Sequence, residues 1–241
     1  MTIRGRQDPA APSEFGPRWG RWIGRFMARV IWDTNVAGRE RMPRSGPVVV
    51  VANHIGVLDG PLLVGILPRP SHFLVKEEMF VGPLGWILKK AGQISVDRGS
   101  GRGALQAALA VLKRGGVVGV FPEGVRGRGI VSQARAGAAW LAVQGKATVV
   151  PVAILGTRRT GESVGHVPWP RRKFAMIIGQ PIAMPATEVM SRREAVALAT
   201  AAIQKGLSDH VNRAVTATGI KLPEDEPLRN PPQSGEDRHR E

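Results

Sequence analysis

Short apolar runs alternate along the chain with longer segments of mixed polarity. Runs rich in β-branched residues are typical of buried strands, and the segments between them have the apolar spacing of helices. The predicted strands are residues 48–51, 71–75, 93–97, 117–121, 148–155 and 174–178, with a connecting strand and turn at 36–44. The predicted helices are residues 59–67, 103–113, 134–143 and 185–215, with a broken helical segment at 79–91. This alternation predicts an α/β fold, in which a mostly parallel or mixed sheet of about six or seven strands is flanked by helices.

The most regular helical pattern lies near the N-terminus, over residues 17–32. Six of its apolar side chains recur at helical spacing: Trp19, Trp22, Ile23, Phe26, Met27 and Val30. Arginines occupy the other side or its flank, at positions 18, 21, 25 and 29. Large apolar residues opposite arginines are typical of a helix that lies in a lipid headgroup layer. A helix packed on the body of its own protein has the same pattern, so both interpretations stay open.

Composition and charge restrict the chemistry. The 241 residues carry a net charge of +15, which indicates an anionic partner: a phosphorylated substrate, an anionic membrane surface or a nucleic acid. The chain has no cysteine, which excludes disulfides, thiolate catalysis and cysteine-bound metals. The five histidines are scattered and match no metal-binding motif, so we predict no metal site.

Charge also divides the chain into parts. Residues 222–241 carry six acidic side chains against three arginines, together with four prolines, and we predict a disordered tail over 219–241. The other parts are an N-terminal amphipathic helical segment at 1–38 and a folded domain at 39–218. No apolar run approaches the roughly 18 residues of a membrane span, and the N-terminus lacks the apolar core of a signal peptide. We therefore expect a cytosolic or peripheral membrane protein.

The valine run at 48–51 leads into a pair of residues suited to catalysis. His54 and Asp59 lie between this predicted strand and the next predicted helix. An imidazole can remove a proton from a hydroxyl, and a carboxylate on its other nitrogen fixes the tautomer and stabilises the imidazolium. Asp59, followed by Gly60 and Pro61, would equally serve as a helix N-cap, with His54 a loop residue. The pair alone leaves both interpretations open.

Three later stretches also follow predicted strands. They supply a candidate anion site formed by Lys76, Arg98, Glu123, Gly124, Val125 and Arg126. The carboxyl ends of parallel strands meet at one edge of a sheet, so we expect these residues near His54. A guanidinium binds phosphate as a fork, an ammonium binds it as a point charge, and glycine frees backbone N–H groups. The sequence therefore predicts a phosphate site beside His54.

Two further motifs give competing hypotheses. Residues 161–165 match the GxSxG pattern of a hydrolase nucleophile, but arginines precede them and prolines follow, where a strand and a helix are needed. Residues 99–104 match the GxGxxG/A pattern of dinucleotide-binding folds, with Glu123 about 20 residues further on. An NAD(P)-dependent oxidoreductase is thus an alternative, although it leaves His54 and Asp59 without a role. A basic nucleic-acid-binding module is another, although no recognised binding motif is present.

Four sequence blocks resemble those of the glycerolipid acyltransferases, the 1-acylglycerol-3-phosphate acyltransferase family. NHIGVLD at 53–59 resembles the NHxxxxD block, and residues 76–98 are similar to the second block. FPEGVR at 121–126 resembles FPEGTR, and VVPVAI at 149–154 is similar to the fourth block. The blocks occur in the family's order. Val125 stands where the family usually has threonine, which removes a hydroxyl near the expected phosphate.

The resemblance implies an enzyme that moves a fatty acyl group from acyl-CoA or acyl-carrier protein to the free hydroxyl of lysophosphatidic acid. Another lyso-glycerolipid or glycerol 3-phosphate is the alternative acceptor. In this family His54 would be the general base and Asp59 the residue that orients it. Phosphate binding would fall to Lys76, the 123–126 segment and Arg98. The apolar surface between Asp59 and Leu88 is the expected acyl groove.

The resemblance also bears on partners and location. It implies no cofactor other than the thioester co-substrate, and no nucleic acid partner. The family attaches to membranes through N-terminal helices, which favours the lipid-facing interpretation of residues 17–32. We therefore expect a peripheral enzyme on the cytoplasmic face of the cell membrane, bound to an anionic lipid surface.

Overall fold

The core of the molecule is a seven-stranded mixed β-sheet. The computed structural model describes residues 12–97, 101–185 and 190–226. The strands are β1 (Asp33–Ala37), β2 (Val48–Ala52), β3 (Ser71–Lys76), β4 (Ile94–Val96), β5 (Val117–Val120), β6 (Thr148–Leu155) and β7 (Lys173–Ile178). They lie in the order β1-β7-β6-β2-β5-β3-β4. The predicted α/β class and strand number are confirmed, and the connecting strand begins earlier than predicted, at Asp33.

Within the described ranges, six α-helices flank the sheet. They are α1 (Phe15–Phe26), α2 (Asp59–Ile66), α3 (Gly82–Lys90), α4 (Arg102–Lys113), α5 (Ala136–Gly145) and α6 (Arg192–Thr218). One apolar layer joins α2 and the π-helical turn that follows α1 (Met27–Ile31) to one face of the sheet, and a second joins α4, α5 and α6 to the other. The predicted start of the last helix includes residues 186–189, which lie outside the described residues. α6 begins behind a capping box formed by Ser191 and Glu194.

The central strands run in the same direction. β2 pairs in parallel with β5 and β6, and β3 pairs in parallel with β5 and β4. β7 is antiparallel to β6, and β1 is parallel to β7. The carboxyl ends of β2, β3, β5 and β6 therefore meet at one edge of the sheet, here called the carboxyl edge. Open α/β sheets bind their ligands at such an edge.

Pro151 lies in a central strand. From sequence, a proline within residues 148–155 predicts an edge strand or a bulge, because it offers no N–H to a ladder. This prediction is wrong, since β6 lies between β2 and β7 and pairs with β2 in continuous register. The Pro151 carbonyl accepts from Gly179 N at 2.8 Å, just beyond the end of β7. The N–H and C=O of one strand residue point to the same side, so the missing donor faces the end of β7 and leaves the β2 ladder intact.

α1 packs on the body of the protein through glycine. Gly16, Gly20 and Gly24 are buried along one side of the helix. A Cβ at Gly24 would lie 2.3 Å from the Pro61 carbonyl oxygen, and one at Gly65 would lie 2.0 Å from the Gly24 carbonyl carbon. The backbones of α1 and α2 are therefore in direct contact, an approach that only glycine allows.

The large apolar side chains of α1 point outwards as a consequence. Met27, in the π-helical turn Met27–Ile31 that continues α1, is half-buried. The other predicted membrane-facing residues are exposed: Trp19, Trp22, Ile23, Phe26 and Val30. The helix therefore does pack on the body of its own protein, but through its glycines and not through the apolar face, and the lipid-facing interpretation of that face stays a prediction. None of the described helices is long and apolar enough to cross a membrane.

The chain beyond α6 crosses the carboxyl edge. The buried guanidinium of Arg158 donates to both carboxylate oxygens of Asp225 at 3.1 Å and to the Gly127 carbonyl at 3.3 Å. The Leu222 side chain packs against the apolar layer under α6. Residues 219–226 thus belong to the folded body, in contrast to the disorder that their composition predicts. The remainder of the predicted tail, 227–241, lies outside the described residues.

Candidate active site

The turn after β2 is fixed to the neighbouring strand β6 by Asn53. Asn53 is buried, its Oδ1 accepts from Ile154 N at 2.7 Å, and its Nδ2 donates to the Ile154 carbonyl at 2.9 Å. Where β2 ends, the Asn53 side-chain amide thus makes the two hydrogen bonds to β6 that a backbone residue would make in a continuing strand. This contact sets the direction in which the chain leaves the sheet, and with it the position of His54.

His54 and Asp59 form a hydrogen-bonded pair at the carboxyl edge. His54 Nδ1 lies 2.8 Å from Asp59 Oδ2. Because a carboxylate can only accept, this contact assigns the proton to Nδ1 and leaves the lone pair on Nε2. The imidazole stacks on Phe121 with ring centres 4.1 Å apart and keeps 16% of its side chain exposed, whereas Asp59 is fully buried. The pair has the geometry of a general base and the carboxylate that orients it.

Asp59 is held by further donors on both carboxylate oxygens. Oδ2 also accepts from the backbone N–H groups of Ile55 at 2.7 Å and Gly56 at 2.9 Å. Oδ1 accepts from Thr157 Oγ1 at 2.5 Å, and Thr157 is 1% exposed. A buried charge needs such partners, and together they fix the orientation of the carboxylate towards His54.

The alternative role of Asp59 as a helix cap is wrong. Leu58 holds the N-cap position of α2, and no side chain caps that helix. The Asp59 carboxylate instead accepts from residues that precede it and from Thr157, which is 98 positions away. Sequence analysis missed Thr157, because a single threonine after the fourth block carries no pattern of its own.

The FPEGVR loop encloses the main chain of His54. His54 N donates to Glu123 Oε1 at 3.0 Å, and Gly127 N donates to the His54 carbonyl at 2.9 Å. Gly124 turns the loop with a φ of +71°, and a Cβ there would also meet the Arg135 guanidinium. The peptide groups on both sides of His54 are thus bonded to one loop, independently of the imidazole ring.

Glu123 makes a different contact from the one predicted. The family resemblance groups it with the phosphate-binding residues, but a carboxylate repels a phosphate, and here it accepts from His54 N. Burial raises the pKa of Glu123 to about 7; the His54 N–H opposes the rise, and the charges of Asp59 and Glu226 add to it. We therefore assign Glu123 to the support of the backbone at His54.

Glu123→Gln is expected to change how stability depends on pH. An acid whose pKa is raised by folding stabilises the folded state most below its ordinary pKa, and this contribution is lost as the pH rises through the raised value. Glutamine keeps the Oε1 acceptor and does not ionise. Between about pH 5 and about pH 8, the wild type should lose roughly 2 kcal/mol of unfolding free energy relative to the variant.

Urea unfolding of both proteins at several pH values measures this difference. Glu40→Gln, at an exposed position, is the matched control and should follow the wild type at every pH. Parallel stability curves for the wild type and Glu123→Gln would contradict a raised pKa at Glu123.

Three arginines lie around the same loop. Arg126 and Arg128 are half-buried, and the Nε of each is buried without a hydrogen-bond partner among the described residues. The Arg135 guanidinium lies against Gly124. Guanidinium groups are donors suited to the oxygens of a phosphate. Sequence analysis named only Arg126; the two additional arginines extend the candidate anion site.

The other predicted anion-binding residues are exposed or lie outside the described residues. Lys76 is exposed at the carboxyl end of β3, which is separated from β2 by β5. Val125 is exposed on the FPEGVR loop, 40% to solvent. Arg98 lies outside the described residues. Arg126 and Arg128 are therefore the cations carried by the loop that bonds the backbone of His54.

The competing motifs do not form the sites that their patterns suggest. Residues 161–165 lie in an irregular loop, without the strand and helix of a nucleophile elbow. Gly99 and Ser100 of the GxGxxG match lie outside the described residues. The expected acyl groove is not formed by α2, whose apolar residues Leu62 and Leu63 are fully buried in the core.

Comparisons with known proteins agree with this geometry. The family model described as Acyltransferase matches residues 33–155. The 1-acyl-sn-glycerol-3-phosphate acyltransferase of Bacillus subtilis is 32% identical over 181 residues, which cover 74% of this chain and 88% of that protein. A lyso-ornithine lipid O-acyltransferase of Pseudomonas aeruginosa is 38% identical over 115 residues, or 46% of this chain and 42% of that one. The crystal structure of the 1-acyl-sn-glycerophosphate (LPA) acyltransferase PlsC from Thermotoga maritima has the same fold, with a TM-score of 0.61, 24% identity and coverage of 86% and 80%.

The fold and the site define an enzyme that transfers acyl groups. The matched range contains the His54–Asp59 pair and the FPEGVR loop. The chain belongs to the acyltransferase family, whose members here include 1-acyl-sn-glycerol-3-phosphate acyltransferases. This assignment sets aside the dinucleotide-binding and nucleic-acid-binding alternatives.

Proposed function

We propose that this enzyme transfers a fatty acyl group from acyl-CoA or acyl-carrier protein to the free hydroxyl of lysophosphatidic acid, giving phosphatidic acid. The observation that carries the proposal is one loop that bonds the backbone of His54 and also bears Arg126 and Arg128. A base and a pair of guanidiniums suit an acceptor that carries a hydroxyl and a phosphate. The name of the Bacillus subtilis relative supports this acceptor.

His54 acts as the general base. Its Nε2 takes the proton of the acceptor hydroxyl as the oxygen attacks the carbonyl carbon of the thioester, and the carbonyl π electrons move to oxygen. The tetrahedral intermediate then collapses, the C–S bond breaks, and the imidazolium returns its proton to the departing sulfur. The products are an ester and a free thiol, so atoms and charge balance without a cofactor.

Asp59 serves the same step. Its carboxylate keeps the Nδ1–H tautomer and stabilises the imidazolium that forms when Nε2 takes the proton. The acyl group passes directly from sulfur to oxygen. The chain has no cysteine to carry an acyl intermediate, and the serine of the GxSxG match lacks the elbow that activates such a nucleophile.

The reaction takes place at a membrane surface. Lysophosphatidic acid is a lipid, and the exposed apolar face of α1, with its arginines, suits an anionic lipid layer. We assign the enzyme to the cytoplasmic face of the cell membrane, as a peripheral protein.

A second acceptor class is favoured by two observations. The relative named as a lyso-ornithine lipid O-acyltransferase shares 38% identity over the aligned segment, and Val125 replaces the hydroxyl that the family usually places in the phosphate loop. The cations of the loop favour the phosphorylated acceptor, because a phosphate offers Arg126 and Arg128 more charge and more acceptor oxygens than the single carboxylate of an ornithine headgroup.

The direct test is thiol release by the purified full chain in detergent, with acyl-CoA or acyl-carrier protein as donor. The acceptors are lysophosphatidic acid, lysophosphatidylcholine, glycerol 3-phosphate and lyso-ornithine lipid. We expect the highest kcat/KM with lysophosphatidic acid. Faster release with lyso-ornithine lipid, or none with any acceptor, would overturn the assignment.

Arg126→Ala is expected to raise the KM for lysophosphatidic acid by about tenfold to a hundredfold, because one charge-assisted contact to the phosphate is lost. The KM for the thioester should change little. Arg193→Ala, exposed in the first turn of α6, is the matched control. Steady-state kinetics with each substrate varied in turn separates the two effects, and an equal rise in both KM values would contradict a phosphate role for Arg126.

A further inference from the structure

The exposed large apolar side chains of this protein are concentrated on one side. Six of them lie on α1 and its π-helical turn, four lie at α3, and two lie in the loop before β7. Elsewhere in the described part of the chain, the exposed large apolar residues are Val125, Ile130, Met190 and Leu198. A large apolar patch on a folded surface marks an interaction site.

α3 is an apolar helix that the fold leaves uncovered. Of its residues only Gly85 is buried, and Trp86 is 59% exposed. Val81, Leu84 and Ile87 are exposed beside it. A surface helix of a protein in water normally turns its apolar side to the core. The apolar side of α3 therefore needs a partner outside the described fold.

The loop at residues 167–169 presents a second isolated tryptophan. Trp169 is 81% exposed. The loop around it is fixed, because Trp32 Nε1 donates to the Pro168 carbonyl at 3.1 Å and Arg171 N donates to the Ile31 carbonyl at 2.7 Å. Trp169 is thus held beside the C-terminal end of the π-helical turn that continues α1.

α1 connects the two regions into one surface. At its start, a Cβ on Gly16 would lie 2.6 Å from the Lys90 carbonyl oxygen, and one on Gly20 would lie 3.0 Å from the Ala91 Cβ, so this end of α1 packs on the end of α3. At its other end lies the Trp169 loop. The lipid-facing platform, as we call it, comprises residues 15–32, 81–90 and 167–169.

The charges within the platform are of one sign, and the nearest acidic residues in sequence, Glu14, Asp33 and Glu78, lie just outside its segments. Residues 15–32, 79–92 and 163–173 contain lysine and arginine but no aspartate or glutamate. Arg25 lies over the ring of Trp22 at 5.8 Å, and Lys90 lies over the ring of Trp86 at 6.0 Å. Cations beside exposed tryptophans match an anionic headgroup layer over an acyl layer. A second copy of the chain would instead bring arginines against arginines.

We propose that α3 and the Trp169 loop bind an anionic lipid bilayer together with α1. The membrane contact is then a platform of three elements and not a single helix. This proposal rests on the proposed function in one respect: an enzyme with a lipid acceptor works at a membrane. In this orientation the sheet face covered by α2 and the turn after α1 lies towards the bilayer, and the carboxyl edge stands at the side of the platform.

The test is vesicle co-sedimentation of the full chain with phosphatidylcholine and phosphatidylglycerol in equal parts. Trp86→Glu and Trp169→Glu should each weaken binding by about tenfold, because each removes apolar contact and adds a charge of the wrong sign. Leu198→Glu, at an exposed apolar position on α6 at the opposite sheet face, is the matched control and should bind like the wild type. Trp86→Ser and Trp169→Ser add no charge. Each should still weaken vesicle binding, but by less than the corresponding glutamate variant.

Two results would overturn the proposal. One is binding by Trp86→Glu and Trp169→Glu that equals binding by Leu198→Glu. The other is a wild-type dimer in lipid-free sedimentation that Trp86→Glu converts to a monomer without loss of vesicle binding. Acyl transfer to lysophosphatidic acid in detergent micelles is measured in parallel. If the wild type shows no transfer, the proposed function is wrong. If the wild type transfers normally and Trp86→Glu and Trp169→Glu bind vesicles like the wild type, only the platform is wrong.

Discussion

His54→Ala is expected to lower kcat for acyl transfer to lysophosphatidic acid by about two to four orders of magnitude. The variant has no group that can take the hydroxyl proton as the oxygen attacks the thioester. Its fold should persist, because the bonds to Glu123 and from Gly127 use the backbone N–H and carbonyl of residue 54, which alanine retains. The measurement is thiol release at saturating acceptor, together with the unfolding midpoint in urea.

His166→Ala removes the same side chain from a loop position and serves as the control, with activity expected near that of the wild type. A His54→Ala enzyme with more than about a tenth of the wild-type kcat would rule out this histidine as the base.

The sheet and the active pair can be predicted from sequence because local signals agree. Four valines at 48–51 predict a strand buried on both faces, and β2 is buried throughout. Parallel strands bring the residues beyond their carboxyl ends to one edge, and His54, Asp59 and the FPEGVR loop meet there. In these segments the local sequence pattern and the contacts of the folded protein favour the same residues.

The features that sequence analysis misses depend on contacts between distant segments. Thr157 bonds to Asp59 across 98 positions, and Asn53 replaces a ladder step to Ile154 across 101. Neither contact produces a periodic pattern in the sequence. The central position of Pro151 could not be predicted from sequence. A proline is tolerated in this strand because β7 ends beside it, so no partner needs its missing N–H, and the end of β7 is not encoded near Pro151.

α1 shows how an amphipathic pattern can mislead about packing. The apolar side of the helix is dominated by tryptophan and phenylalanine, so the usual inference places those residues against the core. The side that packs is instead made of Gly16, Gly20 and Gly24, which contribute nothing to an apolar count. Their spacing of four is visible in the sequence and predicts a flat helix face for close backbone contact.

Asp59→Asn is expected to lower kcat by about two to three orders of magnitude, although the side chain has nearly the same shape. An asparagine can turn its oxygen towards Ile55 N, Gly56 N and His54 Nδ1, and its NH₂ towards Thr157 Oγ1. The tautomer of His54 would then survive, but the charge that stabilises the imidazolium would be lost. Stability should fall by only about 1–2 kcal/mol, because each buried polar atom keeps a partner.

Variants of Thr157 distinguish the effect of the Asp59 charge from the effect of the orientation of its carboxylate. Thr157→Val leaves Oδ1 without its donor and should lower kcat by about tenfold, and Thr157→Ser should restore it. In the Asp59→Asn background, Thr157→Val leaves a neutral NH₂ without an acceptor instead of a charged oxygen without a donor, so the double variant should lose no more unfolding free energy than the two single variants together. The measurements are kcat and urea unfolding for the single and double variants. Asp59→Asn activity within about threefold of wild type would show that the acid only orients the imidazole, and the mechanism would then lack its electrostatic step.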